Sequence, residues 1–258
     1  MPSPGKGRLF IVGVGPGSLE LLTPQAREAI AVSDVVIGNA SYLTPLAPLL
    51  EGKTVMHSGM GEEIARAKKA IHLAEDHVVS LVSGGDPGVY GMAGIVLELV
   101  SSAERQIPVV VIPGISAAQA TSARIGSPLS GDFVVISLSD LLTPWEEIER
   151  RLHLAFAMEV PVVLYNPRSR SRPEHLSVAF RIAREYRKGD TPVAVVKNAY
   201  RKDETITFAV LGDAENVTDE VDMHSTVIFG GRESYFWRER ENVRGIITPR
   251  GYHRKYVY

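Results

Sequence analysis

Short runs of β-branched and aliphatic residues alternate with longer stretches of helical period along this chain. Leu9–Val14, Asp34–Ile37, Val78–Val82 and Val109–Ile112 read as strands. Between them, Thr23-Pro24 opens a helix to about Ser33, with Thr as N-cap and Pro in the first turn. Glu62–Glu75 and Gly94–Glu104 also carry helical periodicity. The strands are nearly continuous apolar runs. Such runs mark a parallel sheet covered on both faces.

Turn formers cluster at 124–131, after which the rhythm restarts. Strands are predicted at Asp132–Leu138, Val160–Tyr165, Val193–Val196 and Thr226–Phe229, and a helix at Glu174–Tyr186. Thr143-Pro144-Trp145-Glu146 has capping-box spacing and starts another helix. Arg201–Leu211 alternates polar and apolar residues from Glu204, as a hairpin would. The expected architecture is α/β: a domain over 1–126, a second over 127–240, both with mainly parallel sheets, and a tail over 241–258, the domains meeting across a cleft.

Composition narrows the chemistry. The 258 residues are 45% hydrophobic and 22% charged, enough to bury a full core. A formal net charge of −2 argues against a nucleic-acid binder working through bulk positive charge. With no cysteine, disulfides, thiolate metal sites and cysteine nucleophiles are excluded. The histidines show no metal-ligand spacing. There is no signal-peptide pattern and no run of about 18 apolar residues, so the expectation is a cytoplasmic protein without a membrane span.

Three loops follow predicted strands. Gly13-Val14-Gly15-Pro16-Gly17 looks like a dinucleotide fingerprint but fails on spacing, since Ser18 stands where the third glycine belongs. The second strand ends in Gly38-Asn39, where a ribose-binding acid would be needed, and Pro16 removes an amide donor. The loop is either a plain tight turn or a close approach to a flat ligand. Ser83-Gly84-Gly85-Asp86-Pro87-Gly88-Val89-Tyr90-Gly91 lies where open α/β sheets place ligands. Asp86, the only charge in it, could accept from ribose hydroxyls, attract a cation, or simply close an Asx turn. Ile112-Pro113-Gly114-Ile115-Ser116-Ala117-Ala118 opens a further helix with small residues.

Taken together, in this order and spacing, the three loops resemble the tetrapyrrole methyltransferases, which methylate corrin and sirohaem precursors. The resemblance covers roughly residues 8 to 231. Ser137-Leu138-Ser139-Asp140-Leu141-Leu142-Thr143-Pro144-Trp145 and Leu164-Tyr165-Asn166-Pro167-Arg168-Ser169-Arg170 look like the branch acting on precorrin-3B at C17 in cobalamin synthesis. Sirohaem-type members show a Tyr-Met-Gly-like segment where this chain has Tyr165-Asn166-Pro167.

The resemblance implies S-adenosylmethionine (SAM) as methyl donor, folded in the interdomain cleft, with S-adenosylhomocysteine as product. By matching motif it would be lined by Pro16, Gly84, Gly85, Asp86, Val89, Ser116 and Ala117, and from the second domain by Asn166, Ala199 and Thr226. It also implies a tetrapyrrole substrate, with or without cobalt, and a homodimer. Methyl transfer from a sulfonium asks for orientation more than for an acid–base pair. Ring contraction, linked to the C17 branch, would need proton transfers, and His57, Tyr90, Asp140 and Tyr165 are the conceivable groups. A carboxylate-edged macrocycle wants cations. If the 168–172 loop is extended, Arg168, Arg170 and Arg172 point to one side and could grip it; otherwise they form a solvated basic loop. Trp145 reads as packing, and Trp237 with the aromatic tail as a subunit contact. Rival readings are another precorrin or uroporphyrinogen III methyltransferase, a non-methylating nucleotide-cofactor protein, and a non-catalytic interaction protein.

Overall fold

The computed structural model describes residues 7–102, 107–218 and 221–257. The chain divides into two compact units, Met1–Ala117 and Ala118–Tyr258. In the first unit the order is β1 (Arg8–Gly13), α1 (Pro24–Val32), β2 (Val35–Asn39), α2 (Ala40–Leu43), β3 (Thr54–Ser58), α3 (Glu63–Leu73), β4 (Val78–Ser83), α4 (Ala93–Ser101) and β5 (Val109–Ile112). The Thr23 hydroxyl accepts from the Ala26 amide and caps α1, with Pro24 in its first turn.

All five strands are parallel, in the order β3-β2-β4-β1-β5. Leu9, Ile11, Val79 and Leu81 pack one way, against Ala67, Ala70, Ala93 and Val96 of α3 and α4. Phe10, Val12 and Val36 pack the other way, against Ala26, Ala29 and Ile30 of α1. Adjacent β1 and β4 therefore send their following helices to opposite faces. That opens a crevice at their C-terminal ends, the position where open α/β sheets bind ligands.

The second unit takes α5 (Ala117–Arg124) almost whole, then β6 (Gly126–Ser127), β7 (Val134–Ser137), α6 (Trp145–Ala157), β8 (Val162–Tyr165), α7 (His175–Tyr186), β9 (Pro192–Lys197), β10 (Thr205–Val210), β11 (Ser225–Phe229), β12 (Tyr235–Glu239) and β13 (Asn242–Ile247). The division falls after Ala117, ahead of the expected 126, because Ala118 and Ile125 bury against Val163, Val196, Ile228 and Ile246.

Its main sheet runs β10-β9-β11-β8-β7. The expectation of a mainly parallel second sheet is corrected: only β7 and β8 run parallel, and β8-β11, β11-β9 and β9-β10 are antiparallel. Its apolar runs have another cause. Helices α6 and α7 cover one face, and α5 with β13 covers the other, so antiparallel strands are buried on both sides. The hairpin expected within 201–211 is corrected: that segment holds a single strand, β10, paired antiparallel with β9, and α6 starts after Pro144, whose ψ of 143° keeps it outside the helix. Residues 235–247 form an antiparallel β12-β13 pair that β6 extends, so the start of the expected 241–258 tail belongs to a small sheet. Among the described residues no helix is long and apolar enough to cross a membrane.

Candidate functional site

The three loops of the first unit meet at the ends of adjacent strands β4, β1 and β5. Gly15 and Gly85 exchange both backbone hydrogen bonds, at 3.1 and 2.9 Å, which zips the first loop to the second. Asp86 ties the second loop to the third: Oδ1 accepts from the Gly88 amide at 2.8 Å and Oδ2 from the Gly114 amide at 3.0 Å. The first bond is the Asx turn; the second holds residues 28 apart in sequence. Backbone lies on backbone here. A methyl group on Gly114 would sit 2.2 Å from the Gly85 carbonyl oxygen, and one on Gly13 would sit 2.6 Å from the Gly114 nitrogen.

These bonds also decide what the loops can hold. A phosphate cradle needs amides pointing into the cavity. The amides of Gly15, Gly85, Gly88 and Gly114 are all spent inside the loop cluster. What the cluster offers is bare backbone, small residues and carboxylate lone pairs. That suits an uncharged ribose and a flat base better than a diphosphate. Gly85, at φ +65°, has Ser116 Cα at 3.6 Å as the nearest neighbour to an added methyl, so space remains beside it. Pro16 and Ser116 are buried, Ala117 is half-buried and Val89 is exposed. Gly84 carries no side chain because the Tyr42 ring would lie 2.4 Å from it.

In the second unit, β8 and β9 end and β11 begins at one end of the sheet. Asn166, Ala199 and Thr226 stand together at that end. Asn166 takes φ +51°, and Ala199 lies between Asn198 at +54° and Tyr200 at +59°. Asparagine tolerates this region, whereas a tyrosine in it marks a turn that its surroundings impose. The Asn166 amide donates to Ser137 Oγ at 2.9 Å. Glu204 fixes the Tyr200 turn by accepting its amide at 2.6 Å. Burial alone would push the Glu204 carboxyl up, but the Arg124 guanidinium and that amide hold it below the usual range. A cavity of about 550 Å³ lies at the opposite end, lined by Glu159, Arg187, Pro192 and Arg232 among others, and contains none of the expected site residues.

The arginine loop differs from its expected form. Ser169 and Arg172 exchange backbone bonds at 3.4 and 3.1 Å, so the segment is a tight turn and not an extended strand. Arg168 donates to the Thr218 carbonyl at 2.6 Å. Arg172, with a side chain 12% exposed, donates to the Leu138 carbonyl at 2.9 Å and faces Asp140 at 3.6 Å. Arg170 is exposed.

The groups considered for proton transfer divide between the units. His57 is exposed on edge strand β3, and Tyr90 is exposed at φ +53°. The Tyr165 hydroxyl accepts from the Ala118 amide at 2.7 Å, a bond internal to the second unit. Asp140 stands between Arg172 and His175, whose Nε2 is 3.7 Å away. Sequence reasoning passed over His175. Its Nδ1 meets the Leu138 carbonyl at 3.0 Å and its ring stacks on Trp145 at 4.0 Å. The contact joins two helix starts that lie far apart in the sequence, so no local pattern marks it. No group of three His, Cys, Asp or Glu residues is placed to hold a metal ion among the described residues.

Residues 8–215 match the model of the tetrapyrrole (corrin/porphyrin) methylases. The chain is 41% identical over 98% of its length to the cobalamin biosynthesis protein CbiHC of Archaeoglobus fulgidus, and spans only 54% of that relative. It is 43% identical over 95% of its length to a probable cobalt-factor III C(17)-methyltransferase of Salmonella typhimurium, and spans 99% of it. The crystal structure of the methyltransferase CobJ superposes with a TM-score of 0.87 at 31% identity, covering 94% of this chain and all of that one. The loop geometry, the fold and these similarities agree, and the chain belongs to the tetrapyrrole methylase family.

Proposed function

We propose that this chain is the SAM-dependent methyltransferase of cobalamin biosynthesis that methylates precorrin-3B or cobalt-factor III at C17, with contraction of the ring. The similarity to the Salmonella protein carries the reading, because it covers 95% of this chain and 99% of that one, which is named as a probable cobalt-factor III C(17)-methyltransferase. SAM supplies, when bound, a methyl group already activated on a sulfonium. The protein's part is then to bind, orient and exclude water.

In this reading the first-unit loops take the adenosyl part. Pro16 shapes the first turn, Gly84 and Gly85 let backbone approach, and Asp86, Val89, Ser116 and Ala117 line the second and third loops. Asn166, Ala199 and Thr226 add contacts from the second unit. Their place at one end of its sheet, with left-handed backbone on Asn166 and beside Ala199, supports this. Substrate carboxylates fall to the arginine turn, with Arg170 as the direct contact. Arg168 and Arg172 are already committed to main-chain carbonyls and add positive field. The reading also makes the protein a cytoplasmic homodimer, supported by Tyr235, Trp237, Tyr252 and Tyr256, each about half exposed. Light scattering showing a monomer would remove that part.

The test is incubation of the pure protein with SAM and, in separate arms, precorrin-3B, cobalt-factor III and uroporphyrinogen III. Gain of one methyl group in either of the first two arms, with a changed absorption spectrum, supports the reading. Methylation of uroporphyrinogen III alone moves the protein to another branch of its family.

A further inference from the structure

The segment after β7 has no part in the cofactor reading, yet it is braced at both ends. Leu138 is fully buried at its start. Its amide donates to the Tyr165 carbonyl at 2.9 Å, and its own carbonyl receives both Arg172 Nη1 at 2.9 Å and His175 Nδ1 at 3.0 Å. At the far end Trp145 packs on the core and stacks on His175. Between these anchors Asp140 is faced by Arg172 Nε at 3.6 Å and His175 Nε2 at 3.7 Å. The two residues that follow point away from the core: Leu141 is 75% exposed and Leu142 93%.

Two adjacent leucines held in water by a fixed scaffold call for an occupant. We propose that Leu141 and Leu142 form an apolar platform for one face of the macrocycle, and that Arg172 is a positioning residue that braces the platform through Asp140. This rests on the proposed function and adds a substrate-determining element to it. Charge complementarity favours a carboxylate-edged ring over a second copy of the chain. The loop's one acid is faced by the Arg172 guanidinium, which offsets its charge, and exposed Arg170 stands on the same turn as Arg172. An apolar face beside a cation matches a flat molecule with apolar faces and an anionic rim.

The experiment compares L141S/L142S, R172K and the triple variant with the wild type in methyl transfer, SAM calorimetry and light scattering. L141S/L142S should raise KM for the tetrapyrrole about tenfold, leave SAM affinity within about twofold, and keep the melting temperature and the mass in solution. R172K should raise the same KM with kcat largely retained. The triple variant should be no worse than the double, because both changes act through one loop. An unchanged KM in L141S/L142S overturns the platform. So does a change in solution mass, which would make the leucines an interface between copies, or a parallel loss of SAM affinity. Additive effects overturn the role of Arg172. A wild type that methylates neither macrocycle overturns the functional reading itself, which is a different result from a wild type that works and a variant that matches it.

Discussion

Asp86 and Gly114 are joined by a carboxylate-to-amide bond of 3.0 Å that spans two loops, while the other Asp86 oxygen closes the turn onto Gly88. One side chain thus sets the separation of the second and third glycine loops. Asp86→Asn keeps a single acceptor and turns an NH2 group toward one of the two amides. The half-buried donor left unmet costs about 1–3 kcal/mol. We predict a lower thermal midpoint and weaker SAM binding for Asp86→Asn, and a similar or larger loss for Asp86→Ala. Unchanged midpoints in both variants would mean the tie is dispensable.

The glycines of this cluster should rank by steric room and not by sequence motif. Gly114→Ala brings a methyl to 2.2 Å from the Gly85 carbonyl and forces two loops apart. Gly85→Ala meets nothing closer than 3.6 Å and bears only the strain of φ +65°, about 1–2 kcal/mol. Chemical denaturation should therefore find Gly114→Ala the less stable of the two. The reverse order contradicts the geometry.

Arg170 and Arg172 should separate in their effects. Arg170→Gln removes an exposed cation; stability should hold, while tetrapyrrole binding weakens severalfold at low salt and less so at high salt. Arg172→Gln strips a donor from the Leu138 carbonyl and should lower the melting temperature. Equal melting temperatures for the two variants would show that the turn is a plain basic loop.

Asp222 gives a pH signature. Burial alone would push its carboxyl up, but the Lys197 ammonium at 2.8 Å and the His224 amide outweigh it and hold the group below the usual carboxylate range. Its folded-state pKa thus lies below the unfolded value of about 3.9. The stabilisation is present in full above that value and lost as pH falls through the folded pKa. The pair is partly exposed, so the contribution is below about 1 kcal/mol. Asp222→Asn should be slightly less stable than wild type near neutrality, and the gap should close below about pH 4. A gap that widens on acidification would reverse the sign.

The legible parts of this molecule were those written in punctuation. Glycine and proline after apolar runs located all three first-unit loops, and Thr23-Pro24 marked α1. Edge strand β3 escaped because its residues are only half-buried or exposed and leave no apolar run. Antiparallel β9 and β11 read as parallel in the sequence because cover on both faces erases the alternation that marks an antiparallel strand. The irregular register between Trp237 and Arg238 broke the period of the tail hairpin. In the 168–172 turn, alternate spacing suggested a shared side, but a backbone pairing four residues wide sends Arg168 and Arg172 to different carbonyls. The clasp around Asp140 depends on a tertiary contact between two helix starts, which no local pattern encodes.

The position of the transferred methyl group decides whether this protein acts at C17. SAM carrying an isotopically labelled methyl group is incubated with the protein and precorrin-3B or cobalt-factor III, and the product is read by NMR. One labelled methyl on C17 of a contracted ring is expected. Label at any other ring position, or a tetrapyrrole recovered without label, contradicts it.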